Sequence, residues 1–266
     1  LYKEIKKETR VTVLDEVATL PQPPTGTGDF MWHLSRTSSG FVVWNNGRIL
    51  QKSDGTVLTI GNEDTIIQNA YSHDEGLVLM TTTGMIRLDL TKNTGSTIAL
   101  ITDELEKNVA ASLPYGKYLY AIDDKGIIWK HPESTTGFAK PTKWLKSETA
   151  LKNPQGIASD GALYVLDTET TIHKFFRGEI APFETDPVEP KFKYASELWT
   201  DNDALFIYVA EQSKNRVVVL DKNGVLVTQY ILPGNTFTGF AIDEKNHAGF
   251  ITQDNKVKRF TLTHLK

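Results

Sequence analysis

The chain has 266 residues, 39% apolar and 23% charged, which is enough core-forming material for one large all-β domain and argues against disorder. Its 29 basic and 33 acidic side chains leave a net charge of −4, so no broad basic surface exists for nucleic acid. Cysteine is absent, which removes disulfides, thiolate metal sites and a cysteine nucleophile, and no apolar run reaches the length of about 18 residues that a membrane span needs.

Residues 1–10 carry Lys3, Glu4, Lys6, Lys7, Glu8 and Arg10 and read as a charged extension, either solvated or a stalk beside a membrane anchor. The chain begins at Leu1 rather than Met, which leads us to expect a piece of a longer polypeptide. Val11 to Leu20 alternates like an outer strand. The segment from Leu20 to Phe30 holds Pro21, Pro23, Pro24, Gly26 and Gly28 and reads as a loop.

From there a hairpin signature occurs six times. Phe41–Trp44, Leu77–Met80, Leu119–Ile122, Leu163–Leu166, Phe206–Val209 and Gly249–Thr252 each lead into a polar turn. The turns centre on Gly47, Gly84, Gly126, Thr170, Asn215 and Asn255, spaced by 37, 42, 44, 45 and 40 residues. Outgoing strands follow at Ile49, Ile86, Ile128, Ile172, Val217 and Val257, and Asp54-Gly55 and Asn223-Gly224 mark further tight turns into fourth strands.

Between the second and third units, Asp103 and Glu106 have the spacing of a helix cap and predict one helical turn. A second Pro-rich connection runs from Pro182 to Tyr194. Four strands per unit and about 44 residues per unit match the blades of a β-propeller. The sixth unit ends after its third strand, so residues 11–20 are expected to supply its fourth and close the ring. The predicted fold is therefore an all-β, six-bladed propeller of four-stranded antiparallel blades over residues 11–266, preceded by the extension 1–10.

Two segments go further than this rhythm. Asn153-Pro154-Gln155-Gly156-Ile157-Ala158, continued by Asp160-Gly161 and Leu163-Tyr164-Val165, resembles the first half of the NHL-repeat consensus. Asn215-Arg216-Val217, continued by Asp221 and Gly224, resembles its second half. The resemblance implies the propeller architecture; NHL-like wheels include binders, receptors and enzymes, so it implies no single activity.

Carboxylates follow the second strands at Asp123, Asp124, Asp167 and Glu211, with Asn45 and Gln253 at similar places. Converging near an axis, such oxygens would suit a divalent cation such as calcium; residues of these types also bond their own turns, and that local role is preferred here. Gluconolactonase-type propellers, which the Pro-x-Gly-Ile-Ala segment distantly resembles, hold a metal through Glu, Asn and Asp. Gln155 stands where that resemblance places a ligand Asn, and no Glu-Gly-Pro segment is present.

The six histidines are scattered singly, and no nucleophile elbow or phosphate loop occurs. Trp32, Trp44, Tyr71, Trp199 and Phe237 are candidates for an aromatic-lined mouth, while Trp129 and Trp144 read as packing between blades. The binding-face candidates are thus Trp32, Trp44, Tyr71, Asp123, Asp167, Trp199 and Glu211.

The function expected from these features is binding of another protein or a small ligand, with no cofactor. The two Pro-rich connections would supply the extra loop material, in an extracytoplasmic sensor domain that meets a membrane only through segments outside this chain. The alternatives are a metal-dependent lactonase- or lyase-type enzyme using axial carboxylates, and a structural spacer.

Overall fold

The computed structural model describes residues 7–21, 31–37, 40–45, 47–73, 76–100, 109–147, 151–167 and 171–265. The helical turn expected at Asp103–Glu106 and most of the loop from Leu20 to Phe30 lie outside these residues.

Each blade is a short antiparallel meander, with the innermost strand first. The inner strands are Trp32–Thr37, Ile67–His73, Val109–Tyr115, Pro154–Ser159, Glu197–Trp199 and Gly239–Asp243. They stand beside one another around the axis, and the chain passes from each outward through its blade before entering the next. Glycine allows the inner strands to approach closely. A Cβ on Gly239 would lie 2.7 Å from the Leu34 nitrogen, and one on Gly156 would lie 3.1 Å from the Leu198 nitrogen, so blade six nests against blade one and blade four against blade five.

The middle strands explain the apolar runs. Alternate side chains of a strand face opposite sides of its sheet, and in a wheel both sides are seams between blades. In blade two, Leu77 and Leu79 pack toward Trp44 and Leu50 of blade one, whereas Val78 and Met80 pack toward Leu119 and Phe138 of blade three. In blade five, Ile207 and Val209 face Tyr164 and Leu166 of blade four, whereas Tyr208 joins Phe240 and Phe260 of blade six. Such strands read as continuous hydrophobic stretches because neither face meets water.

Ring closure is as expected. Asp15–Thr19 pairs antiparallel with Lys256–Thr261 as the fourth strand of blade six, with Asp15 opposite Arg259 and Thr19 opposite Lys256. Side chains lock the seam: the Trp32 indole donates to Asn255 Oδ1 at 2.9 Å, and Asn255 Nδ2 donates to the Leu20 carbonyl at 2.9 Å. The Thr238 and Thr252 hydroxyls both donate to the Trp32 carbonyl, at 2.7 and 2.9 Å.

The charged lead-in also takes part. Glu8–Arg10 lies parallel to Leu226–Ile231 as a fifth strand on blade five, so the amino-terminal segment spans blades five and six. In blade three the outer position is divided between Gly137–Phe138, which also pairs parallel with the outer strand of blade two, and Thr142–Lys143.

The second Pro-rich connection does not stand out as a presented loop, contrary to expectation. Its prolines alternate with Phe183, Val188 and Phe192, and these fill the seam between blades four and five. Asp186 N–H donates to the Gly224 carbonyl at 2.9 Å, Leu226 N–H to Asp186 Oδ2 at 3.0 Å, Gln229 Nε2 to the Glu189 carbonyl at 2.9 Å and Arg216 Nη2 to the Pro190 carbonyl at 2.6 Å. Proline prevents strand pairing here, but the apolar residues between the prolines still favour burial.

Candidate active site

Asn45, Thr81, Asp123, Asp167, Glu211 and Gln253 end the second strands of the six blades, all toward the rim where the inner strands begin. Each is engaged by its own hairpin or the strand that follows. Asn45 Oδ1 accepts the Gly47 and Ile49 amides at 3.1 and 3.0 Å, and the Thr81 hydroxyl donates to the Gly84 carbonyl at 2.6 Å. Asp123 Oδ1 accepts the Lys125 and Ile127 amides at 3.0 and 2.9 Å, and its Oδ2 accepts the Trp129 indole at 2.9 Å. Asp167 Oδ2 lies 2.7 Å from His173 Nε2. Gln253 Oε1 accepts Lys258 Nζ at 2.7 Å.

Glu211 is the most enclosed of the six. It is fully buried, accepts Arg216 Nε at 2.7 Å and the Lys193 amide at 2.6 Å, and faces Lys214 Nζ at 3.3 Å. These residues therefore lock turns, the local role weighed in the sequence. Among the described residues no three His, Cys, Asp or Glu side chains come together as a metal would require.

The aromatic candidates are likewise engaged internally. Trp32 belongs to the closure seam, and Trp44 is buried, stacked on His33 at 4.3 Å and bonded to Ser35 Oγ at 3.0 Å. Tyr71 joins its hydroxyl to Ser112 Oγ at 2.7 Å, which ties the inner strands of blades two and three, and burial pushes its phenol up. Trp199 packs on Tyr208 at 5.6 Å, and Phe237 is fully buried in the same seam.

The residue that sequence reasoning missed is Glu197. It opens the inner strand of blade five opposite Ala210, and strand alternation sets it on the same side as Trp199, toward blade six. Gln212 Nε2 forks between Glu197 Oε1, at 3.2 Å, and the Thr238 carbonyl, at 2.8 Å. Burial pushes the Glu197 carboxyl up to about 8, against the smaller opposing pull of the Phe240 backbone N–H. A half-buried carboxyl at the axis that titrates near neutrality can both donate and accept a proton. The signal available in the sequence was a Glu two residues before a Trp in an alternating strand, which is a charge on a face otherwise buried.

The other end of the inner strands has different chemistry. Arg36 Nη2 meets Asp243 Oδ1 at 3.0 Å and its Nη1 lies 3.9 Å from Asp201 Oδ2, which links blades one, six and five. The Tyr115 hydroxyl donates to Asn202 Oδ1 at 2.6 Å and Lys222 Nζ meets Asp160 Oδ2 at 2.8 Å. Asp243, Asp201 and Asp160 at this end are thus matched by cations.

The fold is that of several solved wheels. A gluconolactonase from Xanthomonas campestris, described as important in glucose secondary metabolic pathways, superposes with a TM-score of 0.63 at 14% identity, over 94% of this chain and 97% of that one. A streptogramin B lyase superposes at 0.59 and 14% identity, covering 93% and 96%, and a calcium-binding regucalcin from Agrobacterium tumefaciens at 0.58 and 14%, covering 91% and 92%. No protein-family model matches the sequence, and no curated protein matches it.

These likenesses bear out the six-bladed, NHL-like wheel. They also overturn the expected binding or sensor domain: two of these whole-chain counterparts are named for enzymatic activities, which favours the enzyme alternative. Of the two Pro-rich connections behind that expectation, the one from Pro182 to Tyr194 is anchored in a seam through Phe183, Val188 and Phe192, and most of the other lies outside the described residues.

Proposed function

We propose that this chain is an enzyme of the lactonase or lyase type, with Glu197 as its acid–base group at the axial rim where the inner strands begin. The observation that carries the reading is the half-buried Glu197 carboxyl, pushed up to about 8 and bonded by the neutral Gln212 amide. The propeller enzymes that share this wheel support the class of reaction.

As a carboxylate, Glu197 takes a proton from an attacking water in ring opening, or from carbon in an elimination. As the neutral acid it returns that proton to the departing oxygen. Gln212, fixed by the Thr238 carbonyl, bonds Oε1, and with the Phe240 N–H it orients the carboxyl. A metal-assisted version does not fit the donor set: Gln155 stands where the gluconolactonase-type resemblance places a ligand Asn, and Asp123, Asp167 and Glu211 are engaged by the turn or strand that follows each of them.

The test is turnover of a panel of small lactones, followed by proton release in weak buffer, for wild type and Glu197→Gln. General acid–base catalysis contributes about 10²–10⁴-fold, so the variant is expected to lose at least about a hundredfold in kcat while remaining folded. The wild-type pH profile should have a limb near 8 that the variant lacks. Equal turnover by wild type and variant would remove Glu197 from the mechanism.

A further inference from the structure

A second site lies away from the axis, at the end of the wheel opposite Glu197. A cavity of about 580 Å³ opens there between blades four and five, within the size range of small-molecule sites. Lys174 of the third strand of blade four and Lys222 of blade five both line it, with Ile180, Pro182 and Phe183 as an apolar wall and Glu184 at its exposed edge.

The two lysines differ in what they hold. Lys222 Nζ is committed to Asp160 at 2.8 Å and to the Thr200 hydroxyl. Lys174 Nζ lies over the rings of Tyr164 and Phe183, at 5.2 and 5.6 Å from their centroids, and makes one long hydrogen bond, 3.4 Å to the Lys222 carbonyl. Among the described residues it has no carboxylate partner. Aromatic faces hold an ammonium in place without neutralising it, so its charge is available to an incoming anion. The wall beside it is apolar, and Ile180 is 58% exposed.

We propose that this cavity binds a small monoanionic amphiphile, with its carboxylate head on Lys174 and its apolar body on Ile180, Pro182 and Phe183. Among the described residues Glu184 is the only acidic side chain in the lining, and it disfavours a second negative charge, which selects a carboxylate over a phosphate dianion. The site is independent of Glu197 and of the reaction assigned to it.

The experiment is calorimetric titration of the whole chain with octanoate, octyl phosphate and octanol. Saturable binding of octanoate is expected, tighter than octyl phosphate and with octanol weaker still. Lys174→Gln should weaken octanoate by about tenfold or more, the loss of one charge-assisted contact. Circular dichroism melts establish that the variant is folded. Should Lys174→Gln fail to fold, Ile180→Glu, at an exposed position, carries the test by placing a like charge beside the head group.

Absence of saturable octanoate binding, equal affinity for octanol, or unchanged affinity in both variants would overturn the site. Tighter binding of octyl phosphate would overturn the selection assigned to Glu184. Lactone turnover by Glu197 should be unaffected by Lys174→Gln, which keeps the two readings separately testable.

Discussion

Glu197 and Glu211 lie on neighbouring strands of the same blade, the first half-buried and the second fully buried, and the protein treats them in opposite ways. Glu211 is met by Arg216, by Lys214 and by backbone amides of the Pro-rich connection, so its charge is matched where it is buried. Glu197 is met by the Gln212 amide and the Phe240 N–H, which bond the carboxyl without supplying a countercharge. The first arrangement makes a fixed structural tie. The second leaves a carboxyl whose proton is mobile near neutral pH, and the difference lies in the partner, since the residue type is the same.

The largest test of this contrast is Arg216→Met. Arg216 is 1% exposed, joins Glu211, Gln229 and the Pro190 carbonyl, and lies 5.4 Å from the Phe192 ring. Removing it strands a buried carboxylate and unfastens the connection from Pro182 to Tyr194, a loss of about 3–5 kcal/mol in urea unfolding. The double variant Arg216→Met with Glu211→Met should recover part of this, because no unpaired charge then remains. A loss below about 1 kcal/mol in the single variant would mean that the pair does not hold the seam.

Asp123→Ala sharpens the contrast from another blade. Asp123 accepts two turn amides and the Trp129 indole, so the variant should lose about 2 kcal/mol by leaving those donors unsatisfied. It should keep full lactone turnover, unlike Glu197→Gln. A variant that is stable but inactive would instead place Asp123 in the chemistry.

Glu197 itself should show in the pH dependence of stability. Its folded carboxyl sits at about 8 against an ordinary value of 4.5, so between those values the unfolded chain has released a proton that the native chain keeps. Stability from this group is full below about 4.5 and falls as pH rises through 8. Each unit of displacement corresponds to about 1.4 kcal/mol, and solvent screening of a half-buried group leaves on the order of 1–2 kcal/mol in all. Glu197→Gln should therefore gain stability over wild type at pH 8 and gain little at pH 4.5. A parallel offset at both values would show that burial does not perturb this carboxyl.

The wheel was legible in the sequence because its determinants are local and repeated. Hairpin turns such as Asn223-Gly224 carry their own geometry, with Gly224 at a φ of +90°, and the two-sided burial of strands such as Leu77–Met80 leaves a continuous apolar record. Closure by residues 11–20 was legible for the same reason: one unit lacked a strand and one strand lacked a unit.

The site was not legible in this way. Glu197 is defined by Thr238 and Phe240, which lie some forty residues further along the chain and reach it only through the seam between blades five and six. Asp123, Asp167 and Glu211 stood out because they share a level on the wheel, but which donors each receives depends on the following strand: Trp129, His173 and Arg216 supply them in turn. The connection from Pro182 to Tyr194 reads as a presented loop when its prolines are weighed above Phe183, Val188 and Phe192, which lie between and beyond them.

The smallest effect comes from the opposite case, a base kept neutral. His264 sits between two tyrosines, with Tyr208 Oη 3.1 Å from Nε2 and Tyr230 Oη 2.7 Å from Nδ1, edge-on to Phe206 at 4.8 Å. A neutral imidazole satisfies both contacts by donating to one hydroxyl and accepting from the other. An imidazolium would have two donors and no acceptor.

Burial, aided by His247, lowers His264 from 6.5 to about 4, so between those values the unfolded chain takes up a proton that the native chain refuses. Stability from this group is complete above 6.5 and is lost as pH falls toward 4, which is the reverse of the Glu197 slope. His33 and His131, also lowered by burial, add to the same acid limb, so His264→Gln should flatten only part of it, on the order of 1 kcal/mol. Thermal melts of wild type, His264→Gln and Glu197→Gln across pH 4 to 8 separate the two slopes. An acid limb unchanged in His264→Gln would assign it to the other histidines and would leave the tyrosine pair as packing alone.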